Sequence, residues 1–132
     1  MYKRQIIQTV ISESEDDLVQ GTKLVIRDGQ QISLLDIDEI VWIDAAGDYM
    51  CIHAGESVHV LRSTMKALTP RLEPFGFARV HRSTLVNLQC ITSAVSLPKG
   101  EYKLSLDQKT EIKTGRKYKE VVQSYLTSIA IS

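Results

Sequence analysis

Short runs of alternating apolar and polar residues, separated by turn residues, fill most of the chain beyond Lys23. The first two runs, residues 24–27 and 31–34, flank the dipeptide Asp28-Gly29. Glycine reaches the positive φ of a tight turn without a steric penalty, so this segment predicts a β-hairpin. Residues 35–39 then predict a single helical turn before the next strand.

Three more strands are predicted before residue 62. Residues 40–44 (IVWID) are typical of a buried strand, and a turn containing Gly47 separates them from a strand at residues 49–54. A tight turn at Gly55 then leads into the returning strand at residues 57–61.

A helix is predicted to begin at Met65, because Ser63 and Thr64 are residues that cap helix N-termini. Pro70 removes a helical hydrogen bond, so we expect the helix to bend or end near it. The apolar residues at helical spacing, which should face the core, are Met65, Leu68 and Leu72.

The second half repeats the pattern of short strands and adds a closing helix. Strands are predicted at residues 78–81, 91–97, 102–106 and 110–114, with a turn at residues 107–109. Residues 82–87 (RSTLVN) are predicted to form a loop or a turn of helix. The closing helix spans about residues 117–127, and its inward positions are Val121, Val122, Tyr125 and Leu126. The fold class is therefore mostly β, with about ten short strands in small sheets and one or two short helices.

The folded domain is expected at residues 21–132, preceded by a linker or lead-in segment at residues 1–20. Residues 12–17 (SESEDD) are acidic and have nothing to bury, whereas four apolar residues between 6 and 11 predict a short strand or helix. The chain has neither a small-residue cleavage site after its start nor a run of roughly 20 apolar residues. We therefore expect a cytoplasmic protein without membrane insertion.

The cysteines and histidines give no sign of a catalytic or metal site. Cys51 and Cys90 lie in apolar, strand-like surroundings and are expected to act as small buried apolar residues. The sequence is also compatible with a disulfide between them. His53 and His59 are expected to face each other across a hairpin, but no third ligand has a recognisable spacing.

Enzyme motifs are also missing from the sequence. Ser83 near His81 lacks the glycines of a nucleophile elbow, and neither type of glycine-rich phosphate-binding loop is present. We predict no enzyme activity, no cofactor and no metal.

Charge is divided unevenly along a chain whose formal net charge is zero. Residues 1–59 carry 4 Lys and Arg and 11 Asp and Glu, whereas residues 60–132 carry 12 Lys and Arg and 5 Asp and Glu, so the balances are −7 and +7. Two ordinary solvated faces would give the same counts, but a basic half is also typical of a protein that meets a polyanion.

Many of the cations lie at predicted element boundaries, where a scaffold projects its binding residues. These cations are Arg62, Lys66, Arg79, Arg82, Lys113, Arg116, Lys117 and Lys119. The hydroxyl residues interleaved with them, which can add phosphate contacts, are Ser63, Thr64, Ser83, Thr84 and Thr114.

Four separated motifs resemble those of the LytTR DNA-binding family. Residues 79–87 (RVHRSTLVN) resemble the family's signature. Residues 40–43 followed by Gly47-Asp48-Tyr49 resemble its strand-turn-strand, residues 61–64 with Leu68 and Leu72 resemble the start of its helix, and residues 115–118 resemble its closing motif. The resemblance runs in the correct order from about residue 24 to residue 126.

The resemblance implies a bacterial transcription regulator, usually the output domain of a two-component response regulator. Such domains insert loops into successive major grooves of imperfect direct repeats in double-stranded DNA. A homodimer or tandem copies would suit such repeats. The expected receiver domain does not fit in the roughly 20 residues that precede the domain, so the chain is either an excised output domain or a stand-alone regulator.

Carried over residue by residue, the resemblance implies that Arg82 approaches DNA from a loop, that Arg116 makes a base or phosphate contact before the closing helix, and that the turn at residues 47–50 is the remaining DNA-facing loop. Asp48 suits a cytosine amino group or a positioning role better than a phosphate, and Asn87 is expected to bond its own loop backbone. His81 is either a phosphate donor or the packed end of a strand. The complete candidate DNA-binding set is Arg82, Arg116, Asp48, Tyr49, Met50, His81, Ser83, Arg62, Lys66, Lys117 and Lys119.

The alternative function is a protein-interaction module whose basic surface binds an acidic partner or a membrane sensor. Sequence preference combined with salt dependence separates the two hypotheses, since only specific DNA binding shows both. The lysines of the candidate set are explained equally well as members of an ordinary solvated surface.

Overall fold

The computed structural model describes residues 18–106 and 110–131 and is mostly β, as the alternating pattern predicts. Its strands are β1 (Val19–Gln20), β2 (Lys23–Asp28), β3 (Gln31–Asp36), β4 (Trp42–Ala46), β5 (Tyr49–Ala54), β6 (Ser57–Arg62), β7 (Phe77–His81), β8 (Thr84–Asn87), β9 (Ser93–Ser96), β10 (Tyr102–Ser105) and β11 (Glu111–Lys113). Its helices are α1 (Met65–Leu72) and α2 (Lys119–Ile131). The predicted turn at residues 107–109 and the predicted element between residues 6 and 11 lie outside the described residues.

The strands form three antiparallel sheets. The central sheet has five strands in the order β6-β5-β4-β8-β7, and the other two have the orders β1-β2-β3 and β11-β10-β9. Successive residues of a strand point to opposite faces, so the central sheet has two faces to cover. Ile43 packs in one core cluster with α1 and β2, whereas its neighbour Trp42 packs against a second cluster with β10 and α2. Both faces of the central sheet are therefore partly buried.

The predicted hairpins and the N-terminus of the first helix are confirmed. Gly29 and Gly47 start two-residue turns with φ of 62° and 65°, where a side chain would be strained. The hydroxyl of Thr64 accepts a hydrogen bond from the Ala67 amide at 3.0 Å and caps α1. Pro70 lies inside α1, which continues to Leu72.

Residues 82–87 contradict the prediction of a loop or a helical turn, because most of this segment is strand β8. All four residues of β8 are buried, and β8 lies between β4 and β7 in the five-stranded sheet. A strand that is buried on both faces lacks the period-two alternation that identifies a half-exposed strand. The strand predicted at residues 91–97 is shorter than expected, at Ser93–Ser96.

Helix α2 begins two residues later than predicted and buries a narrower face. Val122 is fully buried, whereas Val121 is 42% exposed and does not point inward as expected. Neighbouring residues of a helix point about 100° apart, so both valines cannot share one contact face.

Residues 18–20, which the sequence assigns to the lead-in segment, pack against the described domain. Leu18 is buried in the first core cluster, and Val19 and Gln20 pair with Leu24 and Lys23 of β2. Within the described ranges, no helix combines the length and the apolar character needed to cross a membrane.

The cysteines and the first two histidines are placed differently from the expectation. Cys51 and Cys90 are not joined by a disulfide and are only half-buried, and Cys90 lies in a 3-10 turn, not in a strand. His59 pairs with Ile52, one position away from His53, so the two histidines lie on opposite faces of the sheet.

His53 stacks on Trp42 with ring centroids 4.0 Å apart, and its Nε2 lies 2.7 Å from a carboxylate oxygen of Asp44. No group of three or more His, Cys, Asp and Glu side chains in the described part of the chain is placed to hold a metal ion.

Candidate nucleic-acid interface

Three chain segments converge beside the turn at residues 82 and 83, which joins β7 to β8. The Ala45 amide donates a hydrogen bond to the Ser83 carbonyl at 2.9 Å, so the β4–β5 hairpin lies against one side of this turn. The Gly115 amide donates to the Val80 carbonyl at 2.9 Å, so the segment before α2 lies against the outer edge of β7. The strands thus position three loops that are far apart in sequence.

A β-bulge sets the direction of the central turn. Arg79 pairs with Leu85 and His81 with Thr84, which leaves Val80 as an extra residue in β7. Bulges re-aim the side chains that follow them and are frequent beside functional sites.

His81 folds back on its own turn. Its Nδ1 accepts a hydrogen bond from the Ser83 amide at 3.2 Å and lies 3.0 Å from the Ser83 hydroxyl. Because Nδ1 is the acceptor, the neutral ring carries its proton on Nε2. His81 is therefore half-buried at the end of β7 and organises the turn that presents Arg82.

Arg82 lies between two surface clefts and lines both of them. The first cleft, of about 550 Å³, lies between the β4–β5 turn and the start of α1, and its polar lining includes Asp48, Arg62, Ser63, Thr64 and Arg82. The second cleft, of about 400 Å³, is lined by His81, Arg82, Gly115, Arg116, Lys117 and Tyr118. These two clefts together are called here the basic surface. They bring together the six predicted residues of their lining that carry a charge or a titratable ring: Asp48, Arg62, His81, Arg82, Arg116 and Lys117.

Most cations of the basic surface have no anionic partner within the protein. Among residues 18–106 and 110–131, no carboxylate forms an ion pair with Arg62, Arg82 or Lys117. All three side chains are exposed. An anion that enters the clefts therefore meets cations that do not first have to break an internal ion pair.

Arg116 differs from the other cations because a carboxylate of the protein lies beside it. Glu101, in the loop before β10, has its carboxylate oxygens 3.7 Å from Arg116 Nε and 3.4 Å from Lys113 Nζ. The Glu101 side chain is only 18% exposed, whereas those of Arg116 and Lys113 are 63% and 64% exposed. Glu101 has no signal in the sequence, because its proximity to Arg116 depends on the packing of β10 beside β11.

The remaining predicted residues divide into those that border the basic surface and those that do not. Tyr49 pairs with Arg62 across β5 and β6 and is half-exposed, and Lys66 is exposed in the first turn of α1. Met50 lies at the floor of the first cleft, but it is only 2% exposed and packs in the core. The Lys119 side chain lies over Gly100, away from the lining of either cleft.

Two of the predicted phosphate-binding hydroxyls are buried instead. Thr84 is buried in β8, and Thr114 accepts a hydrogen bond from the Tyr102 amide at 3.0 Å. Asn87 is also buried, and its structural role is confirmed: its Oδ1 accepts from the Gln89 amide at 3.1 Å and its Nδ2 donates to the Ile40 carbonyl at 2.9 Å.

Comparison with known families gives a match over most of the chain. The family model of the LytTr DNA-binding domain matches residues 30–127. This range contains all three loops of the basic surface. The matched family is one of DNA-binding domains, not of catalytic domains.

Similar proteins come from several bacteria. The sensory transduction protein LytT of Bacillus cereus is 24% identical over 129 residues, which cover 95% of this chain and 52% of that protein. The LytT protein of Bacillus anthracis is 23% identical over the same length. A response regulatory protein of Vibrio cholerae, itself uncharacterized, is 33% identical over 64 residues, which cover 46% of this chain and 24% of that protein. The chain thus spans about half the length of the two LytT proteins that it matches.

A solved structure shares the fold. The LytTr DNA-binding domain of a Bacillus cereus protein superposes with a TM-score of 0.71 at 16% sequence identity, covering 81% of this chain and 98% of that one. The solved structure shows that the fold is shared, and the family match over residues 30–127 shows that this chain belongs to the LytTR DNA-binding domain family.

Proposed function

We propose that this chain binds double-stranded DNA in a sequence-specific manner, as the output module of a bacterial two-component transcription regulator. The observation that carries the proposal is the position of Arg82, which lines both clefts at the meeting point of three loops. Loops on a rigid β scaffold can each follow a groove, and the unpaired cations around them suit the phosphate backbone.

The side chains of the three loops suit different parts of a duplex. Arg82 and Arg116 are the proposed base readers, since a guanidinium donates two parallel hydrogen bonds to the O6 and N7 atoms of guanine. Asp48 is proposed to accept from a cytosine amino group. Arg62 and Lys117 are proposed to contact phosphates on either side of Arg82.

The finer features follow from the same family. We propose that the loops enter successive major grooves of imperfect direct repeats and that two copies bind in tandem or as a homodimer. In a longer regulator, a receiver domain upstream would control this module, and the protein would act in the cytoplasm. The lengths of the two LytT proteins, about twice that of the part matched, agree with such an additional domain.

Selection of preferred sites from a random pool of duplex DNA tests the proposal. We expect enrichment of one motif that occurs twice at a fixed spacing. A pool that stays unenriched, together with binding to acidic proteins, would instead support the interaction module that binds an acidic partner.

Substitution of Glu101 by glutamine is expected to increase the affinity for DNA. The change removes a negative charge beside Lys113 and Arg116, so Lys113 becomes free to neutralise a phosphate and Arg116 becomes free to reach a base edge. Exposed ion pairs are worth up to about 1 kcal/mol, so we expect an increase of roughly two- to fivefold for the cognate duplex and a smaller increase for the scrambled duplex.

Fluorescence anisotropy with labelled duplexes measures this change. The matched control is Glu111→Gln, which removes a carboxylate that lies 3.7 Å from Lys103 on the same sheet. Equal effects of the two substitutions would show that Glu101 has no special relation to Arg116.

A further inference from the structure

Arg79 connects the two loops that carry the proposed base readers. Its Nε donates a hydrogen bond to the backbone carbonyl of Arg82 at 3.2 Å, and its Nη2 donates to the same oxygen. Its guanidinium carbon also lies 6.0 Å from the ring centroid of Tyr118, in the segment that carries Arg116. One side chain therefore contacts the β7–β8 turn and the segment before α2.

The segment before α2 is packed closely against β7 at the same place. A Cβ atom on Gly115 would lie 3.4 Å from the Tyr118 ring and 3.5 Å from the His81 ring, so Gly115 lies between two aromatic side chains. The Tyr118 amide donates to the Gly115 carbonyl at 3.0 Å, which holds the tyrosine over this turn. The contact between Arg79 and Tyr118 thus acts on a segment whose backbone is already hydrogen-bonded to the Val80 carbonyl.

The contacts of Arg79 distinguish it from the cations of the basic surface. Arg79 is half-buried and two of its nitrogen atoms donate to a carbonyl oxygen of the protein, whereas Arg62, Arg82 and Lys117 are exposed and lack an internal ion pair in the described part of the chain. It lines neither cleft. Its guanidinium contacts a carbonyl oxygen and an aromatic face, and both are favourable partners for this cation.

We propose that Arg79 is a positioning residue that fixes the spacing between Arg82 and Arg116. This inference rests on the proposed DNA-binding function and adds a residue that acts through the readers without touching DNA. A planar fork can donate two hydrogen bonds to one oxygen while it stacks on a ring, and a lysine ammonium cannot do both. Lysine at position 79 would therefore keep the charge and lose the bridge.

The test compares Arg79→Lys with the wild-type protein on a selected cognate duplex and a scrambled duplex, over a range of salt concentrations. A positioning role predicts that the affinity for the cognate duplex falls by about tenfold, comparable with the cost of one mismatched base pair. The affinity for the scrambled duplex and the salt dependence should be unchanged. A direct phosphate contact predicts the opposite: near wild-type binding for Arg79→Lys, and a salt slope smaller by about one unit for Arg79→Ala on both duplexes.

A second variant keeps the test decisive if Arg79→Lys does not fold, which a thermal melt would show. Tyr118→Leu removes the ring and leaves Arg79 in place, and it should also lower the preference for the cognate duplex. In the double variant the two losses should not add, because both break the same bridge. Full wild-type preference in Tyr118→Leu, or additive losses in the double variant, would contradict the inference. If the wild-type protein itself shows no preference, the proposed function fails, and that result is separate from any effect at Arg79.

Discussion

Substitution of Arg82 by alanine is expected to reduce the discrimination between a cognate and a scrambled duplex by roughly 5- to 150-fold. Arg82 is exposed, lines both clefts and has no ion-pair partner in the described ranges, so its guanidinium is available to a base edge. A guanidinium paired with guanine contributes about 1–3 kcal/mol of discrimination, which is roughly 5- to 150-fold in affinity. Titration of both duplexes at one fixed salt concentration measures the ratio.

Two other alanine substitutions serve as controls for Arg82→Ala. Lys117→Ala removes a cation of the second cleft and should weaken binding to both duplexes alike, with a salt slope smaller by about one unit. Lys23→Ala removes a cation that pairs with Asp36 and lines neither cleft, so it should have little effect. If Arg82→Ala keeps the wild-type ratio of affinities, Arg82 is not a base reader.

Among the substitutions named here, Leu68→Ala is expected to lower the free energy of unfolding the most. Leu68 is fully buried where α1 packs in the first core cluster, and α1 also contributes Met65 to the lining of the first cleft. Loss of a buried leucine side chain costs about 2–5 kcal/mol, because a cavity adds to the lost burial. Urea unfolding followed by circular dichroism measures the free energy of unfolding.

The matched control for Leu68 is Leu34→Ala in β3. Leu34 is 54% exposed, and exposed substitutions usually change stability by only about 0.5 kcal/mol. Similar losses for the two leucines would mean that α1 is not packed as the structure describes.

The elements with a local signal could be predicted from the sequence. The hairpin at Gly29 and the turn at Gly47 follow from the backbone conformation that only glycine adopts easily, and α1 follows from the cap at Thr64 and the spacing of Leu68 and Leu72. These features depend on residues that are close in sequence, so no knowledge of the tertiary structure is needed.

The elements whose signal comes from packing could not be predicted. The sequence predicts a loop or a helical turn where strand β8 lies. Both faces of β8 are buried, so its apolar residues do not alternate with polar ones. The prediction that Val121 points into the core is wrong, because the sequence does not distinguish Val121 from its neighbour Val122, and only Val122 is buried. The prediction that His53 and His59 face each other is wrong by one position of strand register, because His59 pairs with Ile52.

The candidate site also divides into features with a local sequence signal and features that depend on tertiary packing. Its cations were identified because they lie at element boundaries, and the structure brings Arg62, Arg82 and Arg116 to one surface. The contacts that organise these cations could not be predicted, since Glu101 and Tyr118 reach their partners only through the packing of three loops.

The most direct test of specific DNA binding is a titration of the wild-type chain with a selected duplex and a scrambled duplex of the same composition, at about 50 and about 200 mM salt. We expect the selected duplex to bind at least about 10³-fold more tightly than the scrambled one. We also expect both affinities to fall by orders of magnitude between the two salt concentrations, because bound phosphates release their counterions. Equal affinity for the two duplexes, or binding that does not respond to salt, would contradict specific DNA binding.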